Sequence, residues 1–222
     1  MDRGPIKSVR IVFILVLTAL APSCETTEQE RLRHFNNDGV VRFRQGDFQG
    51  ARESFSAALN LKPEDPNILF NIGQCYDRQG DWTRAEKYYR DALAKSDNHE
   101  DSRHALEVIL YRTGRRPEAA RMIQDWLARQ PDLAGPYAED GWRLRQENAL
   151  PDAQQRLHQA LEKDPHHIRA LTELAILYEQ FNRPERALVL YERVLAQNPQ
   201  QADIAERVNQ LRLKNVGRPL PD

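Results

Sequence analysis

The sequence predicts an all-α fold in which one helical hairpin is repeated end to end, and three observations predict it. Residues 32–201 divide without gaps into five 34-residue units whose position 20 is always alanine: Ala51, Ala85, Ala119, Ala153 and Ala187. Position 8 is small in four units (Gly39, Gly73, Gly141, Ala175), while position 24 carries Phe55, Tyr89, Ile123, Leu157 and Tyr191. Position 32 is a helix-stopping proline in four units, Pro63, Pro131, Pro165 and Pro199. Small residues at positions 8 and 20 let two antiparallel helices approach at the short end of the ~8–10 Å range, and the large ones fill the gaps between hairpins. Each hairpin then depends on its neighbours for its core.

The first 23 residues read as an address. Arg3, Lys7 and Arg10 precede the apolar run Ile11 to Ala21, and Pro22, Ser23 and Cys24 follow. A basic head, a short apolar stretch and a small-residue site make a secretory signal pattern, with a run shorter than the ~18–20 residues a spanning helix needs. Glu25, Glu28 and Glu30 lie beyond it, so the charge bias places the repeats outside the cytoplasm. The segment Ala21 to Cys24 resembles a bacterial lipoprotein box, which implies that residues 1–23 are removed and that Cys24 is acylated. Residues 24–31 would then be a short tether, and Glu25 after the cysteine implies an outer-membrane lipoprotein facing the periplasm. Ordinary cleavage after Ala21 would give a soluble exported protein instead, and an uncleaved anchor is the third reading.

The units run 32–65, 66–99, 100–133, 134–167 and 168–201. In the first, Leu32 to Gln45 and Gln49 to Leu61 read as two helices joined at Gly46 and Asp47. In the second, Gly80 ends the first helix and Asp81 is placed to cap the next, with Trp82 read as hairpin packing. The third departs most: Glu107 takes the small position 8 and Trp126 the place of an alanine. A carboxylate at a close helix contact needs a partner or a displaced helix. This hairpin is therefore expected to be more open or to turn Glu107 to solvent, with flexing between residues 96 and 116. Pro117, Pro151 and Pro184 fall in first turns, where the missing N–H is tolerated. Residues 202–214 carry Ile204, Ala205, Val208, Leu211 and Leu213 as a capping helix, and 215–222 read as a flexible tail.

These columns resemble the tetratricopeptide repeat (TPR) family, whose 34-residue pattern has small residues at positions 8, 20 and 27, a large one at 24 and proline at 32. The resemblance implies a right-handed superhelix of five hairpins whose first helices line a concave groove, a platform for peptides or partner proteins. Groove positions named on that pattern include Asn36, Asn37, Phe70, Asn71, Gln74, Tyr111, Trp142, Arg145, Arg169 and Glu173, together with His104 and Glu139. Amides suit a peptide backbone and aromatics offer anchors. The aromatics packing on neighbouring helices and closing the groove is the competing reading. The basic residues with which some relatives clamp a terminal carboxylate are absent, since the corresponding places hold Asn36, Val40, Asn71, Asp101 and Ala105.

Composition narrows the function classes. Net charge is -1 over the 222 residues, which gives no basic excess for nucleic acid. Cys75 occupies an otherwise mostly apolar column and reads as a buried small side chain, and Cys24, if acylated, leaves it no disulfide partner. No H-E-x-x-H pair, phosphate loop, dinucleotide fingerprint or nucleophile elbow occurs, and His166 and His167 fall at an inter-repeat turn. No catalytic residue, metal, cofactor or small-molecule substrate is expected. The reading is a non-enzymatic scaffold for protein or peptide partners, membrane-anchored through lipid, in envelope, pilus or secretion-complex assembly. An anchored accessory subunit acting through its convex face or by self-association is the alternative.

Overall fold

A computed structural model describes residues 24–214, and the signal pattern of 1–23 and the tail 215–222 lie outside it. The described residues form helices throughout: α1 (Cys24–Arg44), α2 (Phe48–Leu61), α3 (Pro66–Arg78), α4 (Trp82–Lys95), α5 (Glu100–Arg112), α6 (Arg116–Arg129), α7 (Ala134–Gln146), α8 (Leu150–Lys163), α9 (Ile168–Gln180), α10 (Pro184–Gln197) and α11 (Ala202–Leu213). Residues 24–31 are helical and continuous with the rest of α1. Among the described residues no helix is long and apolar enough to cross a membrane.

Local chemistry sets each boundary. Asp47, Asp65 and Asp81 cap α2, α3 and α4 by accepting backbone N–H bonds from Gly50, Asn67 and Arg84 at 2.9, 2.9 and 3.0 Å. His99 and His167 do the same for α5 and α9 through Nδ1, each at 3.2 Å. Position 15 of every unit is left-handed: Gly46, Gly80 and Gly114 at φ 82°, 77° and 75°, then Asn148 and Asn182 at 60° and 54°. Glycine pays no Cβ penalty there and asparagine the least among the rest, so the same tight turn persists after the glycine is gone. Prolines sit in the first turns of α3, α6, α8 and α10.

Packing follows the columns. The position-20 alanines, Ala51, Ala85, Ala119, Ala153 and Ala187, are all 0% exposed. A β-carbon added at Gly39, Gly73 or Gly141 would stand 2.5, 2.6 and 2.7 Å from Phe55, Tyr89 and Leu157. Position 8 is therefore small because position 24 of its own hairpin lies on it. Helix α11 closes the end of the stack with Ile204, Val208 and Leu211, while Leu213 points away at 83% exposure. Trp82 does not pack as expected: it is 40% exposed.

The third hairpin is the exception. Helices α5 and α6 touch far less than the helices of any other hairpin, as a carboxylate at the closest contact requires. Glu107 itself does not turn to solvent. It is 0% exposed, which corrects that half of the expectation. Trp126, also 0% exposed, fills the widened seam beneath Arg103, whose guanidinium carbon lies 4.3 Å from the ring centroid. The apolar core divides here, with Leu106, Ile109 and Leu110 in one cluster and Ala134, Ala138 and Leu157 in the next.

Candidate binding groove and buried charged seam

The first helices of the hairpins carry the named groove residues, and they fall into two groups. Toward the N-terminus, Asn37 is exposed and Asn71 and Gln74 are half-buried, with no side-chain hydrogen bond to other described residues. Asn36 is half-buried, with its Oδ1 enclosed and unpaired. Phe70 is half-buried, its ring 5.7 Å from Tyr89 and 5.5 Å from His99. These side chains keep unspent hydrogen-bonding capacity and a partly open ring.

Toward the C-terminus the groove residues are committed to one another. Trp142 is only 8% exposed, edge-on to His104 and Tyr111 at 5.2 Å each, so it closes the groove floor and is no anchor. Tyr111 donates its hydroxyl to Glu147 at 2.7 Å. Glu173, 7% exposed, is gripped by Arg145 Nη2 at 2.7 Å, and Arg169 Nε lies 2.7 Å from Glu139 Oε1. Trp142, Glu173 and Glu139 are thus buried where the column pattern had placed them on the groove surface.

These pairs belong to a charged layer that joins α5, α7 and α9 across the break in the apolar core. His104 Nδ1 donates to Glu139 Oε2 at 2.8 Å. Asp140 is held by Arg143 at 2.6 Å and by Arg156 of α8 at 2.8 Å. Each buried carboxylate has a cation except Glu107, whose two oxygens meet no hydrogen-bond donor among the described residues. Burial first, and then the charge of Glu139, push the Glu107 carboxyl well above the ordinary carboxylate range. Burial alone would also raise Glu139, but Arg169 and then His104 overcome it and hold that carboxyl below its usual value. Glu173 is raised by burial, with Arg145 opposing.

Beside this layer an open cavity of about 720 Å³ is lined by Glu100, Asp101, Asp164, His166, His167, Ile168, Arg169, Thr172, Glu173, Gln197 and Gln201. His167 caps α9 with Nδ1, so its Nε2 carries the proton and donates to Glu100 Oε2 at 2.9 Å. His166 is exposed, as its turn position predicts. Formal charge along this wall is acidic, with Arg169 the only permanent cation among the lining residues. Cys75 is 0% exposed and burial pushes its thiol up to about 11, so it is a packing residue.

Models of one family match this sequence. A tetratricopeptide repeat model matches residues 39–100, and a second, also described as tetratricopeptide repeat, matches 78–138 and 144–211. The chain belongs to the tetratricopeptide repeat family. TPR repeat-containing protein PA4667 of Pseudomonas aeruginosa is 40% identical over 118 residues, 53% of this chain and 20% of that protein. Cellulose synthase operon protein C of Xanthomonas axonopodis pv. citri is 28% identical over 159 residues, 68% of this chain and 10% of its own length. The chain thus spans a fifth or less of these curated relatives. Among solved structures, the thermophilic TPR protein TTC0263 of Thermus thermophilus aligns with TM-score 0.62 at 24% identity, over 84% of this chain and 99% of that one. Pseudomonas aeruginosa pilF aligns with TM-score 0.53 at 15% identity, over 85% and 91%. At these identities the structural likeness is one of fold.

Sequence reasoning placed His104, Glu139, Arg145, Arg169 and Glu173 in one groove but missed that they bond across units. The signal was present in the columns: position 6 changes from Asn37 and Asn71 to Glu139 and Glu173 just where position 12 becomes Arg145 and position 2 becomes Arg169.

Proposed function

We propose that this chain is a non-enzymatic scaffold, exported and lipid-anchored at Cys24, that holds an extended segment of a protein partner in its concave groove during assembly of an envelope, pilus or secretion complex. TPR solenoids bind protein or peptide partners, and the observation that carries the reading here is the groove itself. Its N-terminal half offers the unspent amides of Asn37, Asn71 and Gln74, and its C-terminal half opens into the cavity bordered by Glu100, Asp101 and Asp164. Amides satisfy a peptide backbone without demanding a sequence, and an acidic wall favours a partner carrying Lys or Arg. The export pattern of residues 1–23 and the cysteine after it support the anchor, with the acyl chains held by ~0.8 kcal/mol per buried methylene.

The test is capture of the partner from native membranes by the wild-type chain and by two variants, Asn71→Ala/Gln74→Ala and Glu100→Lys/Asp101→Lys. Retained helicity with partner recovery reduced in both supports groove binding; undiminished recovery in both refutes it. Palmitate labelling that disappears in Cys24→Ser supports the anchor, and labelling that persists, or is absent from the wild type, refutes it.

A further inference from the structure

We propose that His104, Glu107 and Glu139 form a binding site for a divalent transition-metal ion of the zinc type at the junction of α5 and α7. One ligand atom from each lies within 4.8 Å of the others. Donors around a tetrahedral ion at ~2.1 Å stand ~3.4 Å apart, so the three side chains need to close by little more than an ångström. One imidazole nitrogen and two carboxylates, with solvent in the fourth place, is a donor set that such ions accept.

The observation that points to an ion is Glu107. Its side chain is 0% exposed and both oxygens are without a donor, at a position where a glycine or alanine serves the fold in every other unit. A buried carboxylate with nothing to bind it is costly. The other buried carboxylates of the layer are matched by cations. Asp140 is matched by Arg143 and Arg156, Glu173 by Arg145, and Glu139 by Arg169. Glu107 is the carboxylate left without a cation, and its oxygens lie beside the one imidazole in the layer.

The surroundings also resemble those of a supported ligand set. Arg169 holds Glu139 through Oε1, leaving Oε2, the atom nearest His104, for the ion. Trp142 packs edge-on against the His104 ring and fixes its plane. His104 is 23% exposed, which gives an ion a way in. On binding, the ion takes the lone pairs of His104 Nδ1, Glu139 Oε2 and a Glu107 oxygen. The imidazole's one proton passes from Nδ1, where it now bonds Glu139, to Nε2, and any proton on Glu107 leaves to solvent.

The experiment is titration of the chelator-treated full chain with Zn²⁺, Mn²⁺ and Mg²⁺ by calorimetry near neutral pH, with Co²⁺ absorption as a second readout. The proposal expects one Zn²⁺ per chain, a cobalt d–d spectrum without a thiolate charge-transfer band, and affinity at least ~10-fold weaker in Glu107→Gln and His104→Phe. Glu107→Gln keeps the size and neutrality of the protonated acid, so it folds, and its melting curve near neutral pH in chelator checks that. His166→Asn leaves affinity unchanged. Absence of saturable Zn²⁺ binding, or binding equally tight in Glu107→Gln and His104→Phe, overturns the proposal.

Discussion

The ring of Tyr89 lies on the bare α-carbon of Gly73: a β-carbon at that position would stand 2.6 Å from Tyr89 Cε1 and 3.3 Å from Tyr88 Cβ. Tyr89 is 0% exposed, so it has no free direction in which to yield. Gly73→Leu therefore forces α3 and α4 apart. Overpacking of this kind costs about 1–3 kcal/mol, and each kcal/mol lowers the melting temperature of a chain this size by ~2–4 °C. Thermal denaturation followed by circular dichroism checks it, with the smaller Gly73→Ala falling between.

Trp126→Ala restores the residue that the other first four units carry at position 27, Ala58, Ala92 and Ala160, yet it is expected to destabilise. The alanines work where the two helices are close. At α5 and α6 they are not, and the indole fills the space under Arg103 while donating its N–H to Gln130 at 2.8 Å. Its removal leaves a cavity, for which aromatic truncations cost about 3–5 kcal/mol. Urea denaturation of the variant measures the loss.

Arg145 and Glu173 bridge α7 and α9 in a setting where only 14% and 10% of their side chains are exposed. Removing the cation alone strands the carboxylate, so Arg145→Leu should cost about 3–5 kcal/mol. Replacing both by leucine recovers much of that loss, because no charge is then left buried. A double-mutant cycle in denaturant separates the two, with a coupling well beyond ~1 kcal/mol expected.

Glu107 makes stability depend on pH with a definite sign. Its folded carboxyl binds a proton more tightly than the ordinary value of 4.5, so its contribution is complete below that value and is lost as pH climbs through the raised one. Glu107→Gln keeps the neutral form at every pH. In chelator, the variant is expected to gain on the wild type steadily as pH rises from weakly acid to alkaline, with the difference shrinking near pH 4. Melting temperatures across that range read it directly.

The helical architecture was legible in the columns because its causes act within one unit: Gly39 faces Phe55, Gly73 faces Tyr89, Gly141 faces Leu157, and the position-15 residues need a left-handed turn. Glu107 was legible only by half. Inspection of its own hairpin required either a wider seam or an exposed carboxylate, and the seam did widen. What surrounds the side chain lies mostly beyond its own hairpin, at Glu139 in the next unit and Arg169 in the one after, with His104 one turn before it on the same helix. Such contacts join positions that differ in column as well as unit, so stacking the units by column hides them. Trp142 shows the same limit: an aromatic at a groove position reads as an anchor until His104 and Tyr111 are seen enclosing it.

The most direct test of groove binding is site-specific photo-crosslinking in native cells, with the photoreactive residue at Thr172 on the cavity wall or at Val189, which is 56% exposed on α10. The account predicts a single discrete adduct from Thr172 that Glu100→Lys/Asp101→Lys abolishes, and none from Val189. An adduct from Val189 with none from Thr172 would contradict it.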